Sequence, residues 1–305
     1  MYAIEAKGLC KSFREVKAVD EVSIAIPRGG IFGFLGPNGA GKTTTIRMIT
    51  GMLIPDSGSV RVLGTDVQDD PLGAKLRMGV IPENGTVYSD LTAEQNILLT
   101  AKFFGMERAE RERRAQEILE RLGLLERRND VVRTFSKGMR QRVSIACAIV
   151  HSPPVLILDE PTTGLDVYSR RLVTDTIRHM NTEGSTVLLT THNIEEANAL
   201  CSSISVINRG RIVASGSPEK LKKAFDTSRS VEIAFDRWIG PGFFSSPAIT
   251  SAEPWGDKWR VHTEDPDAAV KYLASAAEKG NIKIVSIQTS APSLEEAFVK
   301  LTEDT

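Results

Sequence analysis

Residues 36–43 read Gly36-Pro37-Asn38-Gly39-Ala40-Gly41-Lys42-Thr43, the spacing G-x-x-x-x-G-K-[ST]. Glycines so spaced let successive backbone N–H groups turn inward around phosphate oxygens, and a helix that begins here adds its positive end. Lys42 then reaches the terminal phosphates, and the Thr43 hydroxyl suits a divalent cation. A second candidate lies 117 residues beyond Lys42, where the apolar run Val155–Leu158 ends in Asp159 and Glu160. At the end of a buried strand, one carboxylate can hold a hard cation and the other can orient and deprotonate a water. A third is Ser136-Lys137-Gly138; Ser136 lies 23 residues before Asp159 and opens a segment with apolar Val143, Ile145 and Ala146. A helix start carrying a Ser and a Gly is another anion site. Finally, His192 comes after the run Thr186–Thr190. Taken alone, the last three read as an acidic turn, an ordinary N-cap and a structural histidine. Beside the phosphate loop they read as nucleotide chemistry.

The loop requires a strand before it and a helix after it. Ile31–Leu35 supplies the strand, preceded by Val22–Ile26, and Lys42 to about Thr50 supplies the helix, closed by Gly51 as a C′ residue. A further strand pair is predicted at Ser59–Leu63 and Met78–Ile81. Thr92 and Gln95 have capping-box spacing, and Ala115, Ile118, Leu119 and Leu122 recur at helical spacing within 107–122. Residues 90–150 are therefore expected to be a mostly helical insert. Strands at Val155–Leu158 and Thr186–Thr190, with a helix between them, imply a largely parallel sheet in an α/β domain. Asn193 and Glu196 are placed to cap the helix after His192. Composition changes near residue 226, which divides the chain into domains 1–226 and 227–305. The second is a small α+β unit: a strand at Val231–Phe235, a hairpin across Trp255–Lys258, a helix at Asp267–Glu278, a strand at Ile282–Ile287 and a capped helix from Ser293 to about Leu301.

The 305 residues carry a net charge of −1, and 41% are apolar and 25% charged, which excludes disordered and collagen-like classes and gives no overall case for nucleic acid. No stretch approaches the about 20 apolar residues of a spanning helix. Met1–Lys7 has no apolar run behind a basic head, so no export signal is expected. Cys10, Cys147 and Cys201 are odd in number and far apart, which suits reduced thiols in a cytosolic protein. His151, His179 and His262 have no evident partners and read as structural.

Taken in order, the phosphate loop, Ser136-x-Gly138-Met139-x-Gln141-Arg142, the strand ending in Asp159-Glu160, Gly164-Leu165-Asp166 and His192 resemble the nucleotide-binding subunit of ABC transporters. The resemblance covers about residues 2–225. It implies a cassette fold binding ATP and Mg²⁺, and a head-to-tail homodimer in the ATP state. Residues 36–43 and Thr44 would cradle the phosphates. Thr43 and Asp159 would hold the metal, Glu160 would activate water, and His192 would contact the γ-phosphate. Ser136, Lys137 and Gly138 of one subunit would meet the nucleotide held by the other subunit's Lys42. Phe13 sits where the family stacks an aromatic on adenine; the other reading is a core phenylalanine. Two positions depart from the family. Lys137 replaces a glycine of the signature, and Glu83 replaces the loop glutamine that approaches Mg²⁺ and the transporter; a carboxylate there can still ligate Mg²⁺ or bind water. Both departures resemble the branch serving drug, sodium, lipid and polysaccharide exporters. That branch often carries a C-terminal α+β extension ending in a helix like Pro292–Phe298.

These features imply an energy-coupling ATPase, peripheral on the cytoplasmic face of the membrane, that works with a separate transmembrane permease and not with nucleic acid. A soluble ABC ATPase acting on nucleic acid or ribosomes is the rival class, disfavoured by a single phosphate loop and no sustained heptad run. A GTPase is disfavoured because no NKxD-like motif occurs. The Arg-rich stretch 127–142 is either a solvated face or a docking face. The C-terminal unit either braces and regulates the dimer or is a passive appendage.

Overall fold

The computed structural model of the chain describes residues 2–82, 87–224 and 229–290. It opens with a long antiparallel hairpin, β1 (Tyr2–Phe13) and β2 (Val16–Pro27). From Glu21 onward β2 alternates, burying Val22, Ile24 and Ile26 and exposing Glu21, Ser23 and Ala25, as a strand with one covered face must. β3 (Ile31–Leu35) is buried at every residue and runs into the phosphate loop, after which α1 (Lys42–Ile49) begins. α1 closes at Thr50, and Gly51 supplies the left-handed residue beyond it at φ 66°. β4 (Ser57–Val62) and β5 (Thr65–Asp66) join the hairpin in a sheet ordered β2-β1-β4-β5.

After α2 (Pro71–Lys75) comes β6 (Met78–Ile81), then the helices α3 (Ala93–Phe103), α4 (Arg108–Arg121) and α5 (Lys137–Ile149). α3 carries the full capping box: Gln95 N–H donates to Thr92 Oγ1 at 3.1 Å and Thr92 N–H donates to Gln95 Oε1 at 3.0 Å. Next come β7 (Val155–Asp159), α6 (Val167–Thr182), β8 (Thr186–Thr191), α7 (Ile194–Leu200), β9 (Ser203–Asn208) and β10 (Arg211–Gly216). The second sheet is ordered β10-β9-β3-β8-β7-β6, and every neighbouring pair except β10 with β9 is parallel. β7 and β8 are buried throughout, the pattern of strands covered on both faces. Register aligns Leu35 with Thr191 and Asp159 with Thr190. The carboxyl ends of β3, β7 and β8 therefore share one sheet edge, where open parallel sheets bind ligands.

The described residues divide into two compact units, Met1–Pro218 and Glu219–Thr305, a division that falls in α8 (Pro218–Ala224). The boundary read from the sequence, 226/227, lies outside the described residues. The second unit holds β11 (Arg229–Phe235), β12 (Ser251–Trp255), β13 (Lys258–Thr263), α9 (Pro266–Lys279) and β14 (Ile284–Ser290). Its antiparallel sheet is ordered β12-β13-β11-β14, and Val231, Ile233, Phe244, Trp259, Val261, Ala269 and Leu273 form its own core. The hairpin across Trp255–Lys258 is present. The helix at 293–301 falls outside the described residues.

Four expectations change. β4 and β6 do not pair: β4 lies between β1 and β5, whereas β6 pairs, among the described residues, only with β7, because its largely buried run, with Val80 half-buried, fits the parallel sheet. Arg142 is not on a solvated face. It is buried, donates to Leu122 O at 2.7 Å and lies 5.8 Å from the Tyr168 ring. His262 does have a partner, Glu253 at 3.4 Å. His151 stacks on Phe104 with ring centroids 3.5 Å apart, and its Nε2 meets Met78 O at 3.2 Å.

Burial pushes the His151 imidazole down to about 4. A folded value below the ordinary one means that the unfolded chain takes up a proton first. The stability held by neutral His151 is thus complete above about pH 6.5 and drains away toward pH 4. The full effect is on the order of 3 kcal/mol. His151→Phe should flatten the loss of stability between pH 6.5 and 4, measured by urea unfolding at stepped pH, while costing little at pH 7.5.

Candidate active site

The loop after β3 closes over Lys42. Its side chain is only 6% exposed, and Nζ donates to Gly36 O at 2.6 Å and to Pro37 O at 3.3 Å. The turn leaves no room for side chains at two points. A Cβ on Gly36 would lie 2.5 Å from Ile207 O, and one on Gly41, at φ 108°, would lie 2.6 Å from Ala18 O. Gly39, at φ 82°, has nothing within 4 Å of its Cβ position and faces open space. A cleft of about 340 Å³ opens there, and Asn38, Lys42, Thr43, Thr44, Glu160 and His192 are among the residues that line it.

Glu160 follows β7 with a left-handed backbone, φ 52°, which is uncommon for a residue with a Cβ. The turn is held by its own N–H, which donates to Thr190 Oγ1 at 3.0 Å. Thr190 Oγ1 in turn donates to Asp159 Oδ1 at 2.5 Å, so one hydroxyl fixes both carboxylate residues. Glu160 Oε2 accepts from Thr163 Oγ1 and from His192 Nδ1, each at 2.8 Å. Its Oε1 is buried without a hydrogen-bond partner and lies 3.4 Å from Lys42 Nζ. An orphaned buried carboxylate oxygen beside a buried ammonium leaves room for a ligand that brings its own donors and negative charge.

The residues present also fit a hard cation. Thr43 offers a hydroxyl and Asp159 a carboxylate, both oxygen donors. Among the described residues no cluster of three or more His, Cys, Asp or Glu could hold a metal by itself, so a cation here would need phosphate and water oxygens to complete its shell.

Phe13 lies at the end of β1, 49% exposed and outside the cleft lining, so the core-phenylalanine reading fails. Ser136 caps α5, accepting from Met139 N–H at 3.2 Å. Ser136, Lys137 and Gly138 do not line the cleft either. Gly138 packs so closely that a Cβ would lie 2.7 Å from Ser169 Oγ. Glu83 lies outside the described residues. Thr163 and Thr190 were not singled out in the sequence. Their signal was position alone, since each stands close to a motif residue.

Residues 19–163 match the ABC transporter family. The chain is 34% identical to the linearmycin resistance ATP-binding protein LnrL of Bacillus subtilis over 98% of both chains. It is 36% identical to the daunorubicin/doxorubicin resistance ATP-binding protein DrrA of Streptomyces peucetius, over 98% of this chain and 92% of that one. The chain belongs to the ABC transporter family. A solved ATP-binding subunit of an ABC transporter superposes with a TM-score of 0.69 at 32% identity, over 73% of this chain and 93% of that one. The cassette MJ0796, in a dimeric post-hydrolysis state with ADP and Pi, superposes at 0.65 and 26% identity, over 70% and 98%. As a member of the family, this ABC subunit binds ATP and hydrolyses it to drive a transporter.

The ABC loop makes a contrast that can be measured. Gly39→Ala enters open space and costs only its left-handed backbone, about 1–2 kcal/mol. Gly41→Ala drives a methyl into the Ala18 carbonyl and should cost more, with nucleotide affinity falling alongside stability. Denaturant unfolding and titration with a fluorescent ATP analogue check both; equal losses at the two positions would contradict the close approach at Gly41.

Proposed function

We propose that this chain is the motor subunit of an exporter, working as an ATP-closed homodimer beneath a separate transmembrane permease. The observation that carries the chemistry is the pair of fates of the Glu160 oxygens: Oε2 tied to Thr163 and His192, Oε1 buried and free beside Lys42. A carboxylate held this way is oriented to take a proton from a water. Lys42 leaves the loop carbonyls and binds the β- and γ-phosphates, while the loop N–H groups from Gly36 to Thr44 cradle them. Asp159, Thr43 and, from the sequence alone, Glu83 hold Mg²⁺, which supplies charge neutralisation on the phosphates. Water attacks the terminal phosphorus, its proton passes to Glu160, and the bond to the bridging oxygen breaks to leave ADP and phosphate. His192, whose side chain is half exposed while its Nδ1 holds Glu160, presents its other edge toward the phosphate and water. Phe13, exposed at its strand end, stacks on adenine.

Export and the permease rest on the relatives, which are named as ATP-binding proteins of antibiotic resistance and of Nod factor export. The first two cover nearly the whole chain, so the C-terminal unit goes with that role, and we assign it dimer bracing and no chemistry of its own. Among the described residues no helix is long and apolar enough to cross a membrane, which fits a peripheral subunit on the cytoplasmic face.

Glu160→Gln keeps the shape and loses the base. ATP binding should stay within about threefold while steady-state hydrolysis falls at least a hundredfold. A turnover near wild type would remove Glu160 from this role.

Ser136 tests the sandwich. A Ser136→Arg subunit mixed with a Lys42→Ala subunit leaves one intact composite site per mixed dimer. Sedimentation should recover part of the ATP-dependent dimer that neither subunit forms alone. No recovery, with mixed dimers demonstrated by differential labelling, counts against a head-to-tail arrangement.

A further inference from the structure

Glu196 does not spend its carboxylate on the helix cap that its spacing suggests. Its N–H is the capped group, donating to Asn193 Oδ1 at 2.9 Å. The carboxylate turns inward between two threonines: Oε1 accepts from Thr162 Oγ1 at 2.7 Å, and Oε2 from Thr191 Oγ1 at 2.9 Å. Thr162 and Thr191 are themselves buried. Burial holds the Glu196 carboxyl above the usual range, and the nearby Glu160 charge adds to this. Among the described residues this carboxylate forms no salt bridge, Arg170 acting on it only from a distance, and such a largely buried charge is a costly choice for simply joining two segments.

The neighbours of the two threonines in the chain give the choice its sense. Thr163 comes directly after Thr162, and His192 directly after Thr191. Those two residues are the ones that hold Glu160 Oε2. Glu196 thus grips, one residue upstream in each case, both backbone segments that present partners to Glu160. Thr191 ends β8 and Thr162 lies three residues past β7, and the β7–β8 ladder ends at Asp159 and Thr190, short of both threonines, so their spacing beyond the ladder falls to side chains. A displacement of about 1 Å in such a network is enough to cost catalysis heavily.

We propose that Glu196 is a positioning residue for ATP hydrolysis: its carboxylate clamps Thr162 to Thr191 and thereby sets where Thr163 and His192 hold Glu160. The inference rests on the proposed role of Glu160. Glu196 does not touch nucleotide in this scheme, so it acts on turnover and leaves binding alone.

The test compares Glu196→Ala with Glu196→Gln in the full-length protein. Alanine removes the clamp, and kcat should fall about tenfold to a hundredfold, while the Kd for a fluorescent ATP analogue moves less than about threefold. Glutamine can still span both hydroxyls, accepting from one and donating to the other, and should keep at least about a third of kcat. In a Glu160→Gln background, adding Glu196→Ala should change single-turnover hydrolysis by less than about twofold, because residues that act as one unit are not additive. If Glu196→Ala does not fold, Glu196→Asp, too short to reach both threonines, replaces it. Wild-type kcat in the Ala variant overturns the proposal. So does equal loss of ATP binding and thermal stability in both Ala and Gln variants, or a full multiplicative loss in the Glu160→Gln background. Near-normal turnover by Glu160→Gln alone would instead fail the Glu160 assignment, and it is measured separately.

Discussion

A buried ammonium faces a buried carboxylate at the edge of the parallel sheet, and most of the first unit serves to keep that pair in place without letting it collapse. Lys42 Nζ and Glu160 Oε1 stand 3.4 Å apart, close enough to attract but longer than a good hydrogen bond. Two backbone carbonyls hold the ammonium on its own loop, and Thr163 and His192 hold the other carboxylate oxygen away from it. A closed salt bridge would satisfy both charges and leave nothing for a phosphate. Buried charges are tolerated only when hydrogen-bonded, so each is given partners that restrain it short of the other. The adenine nucleotide of an ABC ATPase brings a charge that the ammonium prefers to neutral carbonyls.

Holding that separation needs three strand ends at fixed spacing, which the register of β3, β8 and β7 supplies. Fine placement then falls to threonine hydroxyls. Thr190 ties Asp159 to the Glu160 backbone, Thr163 ties the Glu160 side chain, and Thr162 and Thr191 converge on Glu196. Threonine suits this work because its χ1 is stiff and its hydroxyl both donates and accepts. The left-handed backbone at Glu160 is a local cost of about 1–3 kcal/mol, tolerated where surrounding bonds over-determine it.

Much of this was legible in the sequence because charge and glycine spacing are local signals. The phosphate loop, the Asp159-Glu160 end and the α3 capping box each need only a few adjacent residues to be read. Strand partnership was not legible: Ser59–Leu63 and Met78–Ile81 both look like strands, yet belong to different sheets, because pairing is decided by residues far away in the chain. Side-chain direction was missed for a related reason. Arg142 sits among arginines that face solvent, but the helix turn points it at the Leu122 carbonyl. Glu196 has the spacing of a cap, yet two threonines from other segments outcompete the helix end for its carboxylate.

The first turn of α5 shows how an apparent local fault can be consistent with the whole. It carries no acidic residue, and Lys137 stands at its first position, where a cation opposes the helix dipole by about 0.3–1 kcal/mol. No ion pair relieves Lys137 among the described residues; its Nζ lies so near Gly164 that a Cβ there would be only 2.5 Å away. Gly164, left-handed at φ 72°, belongs to the same turn as Thr163, which holds Glu160. An exposed cation at a helix start is poorly matched to its own protomer, and well matched to a phosphate arriving from outside it. Under the proposed head-to-tail arrangement, that phosphate is the one held by the second copy's Lys42. In that arrangement the cost that Lys137 imposes on the open protomer would favour closure, because closing the dimer would supply the negative charge that it lacks.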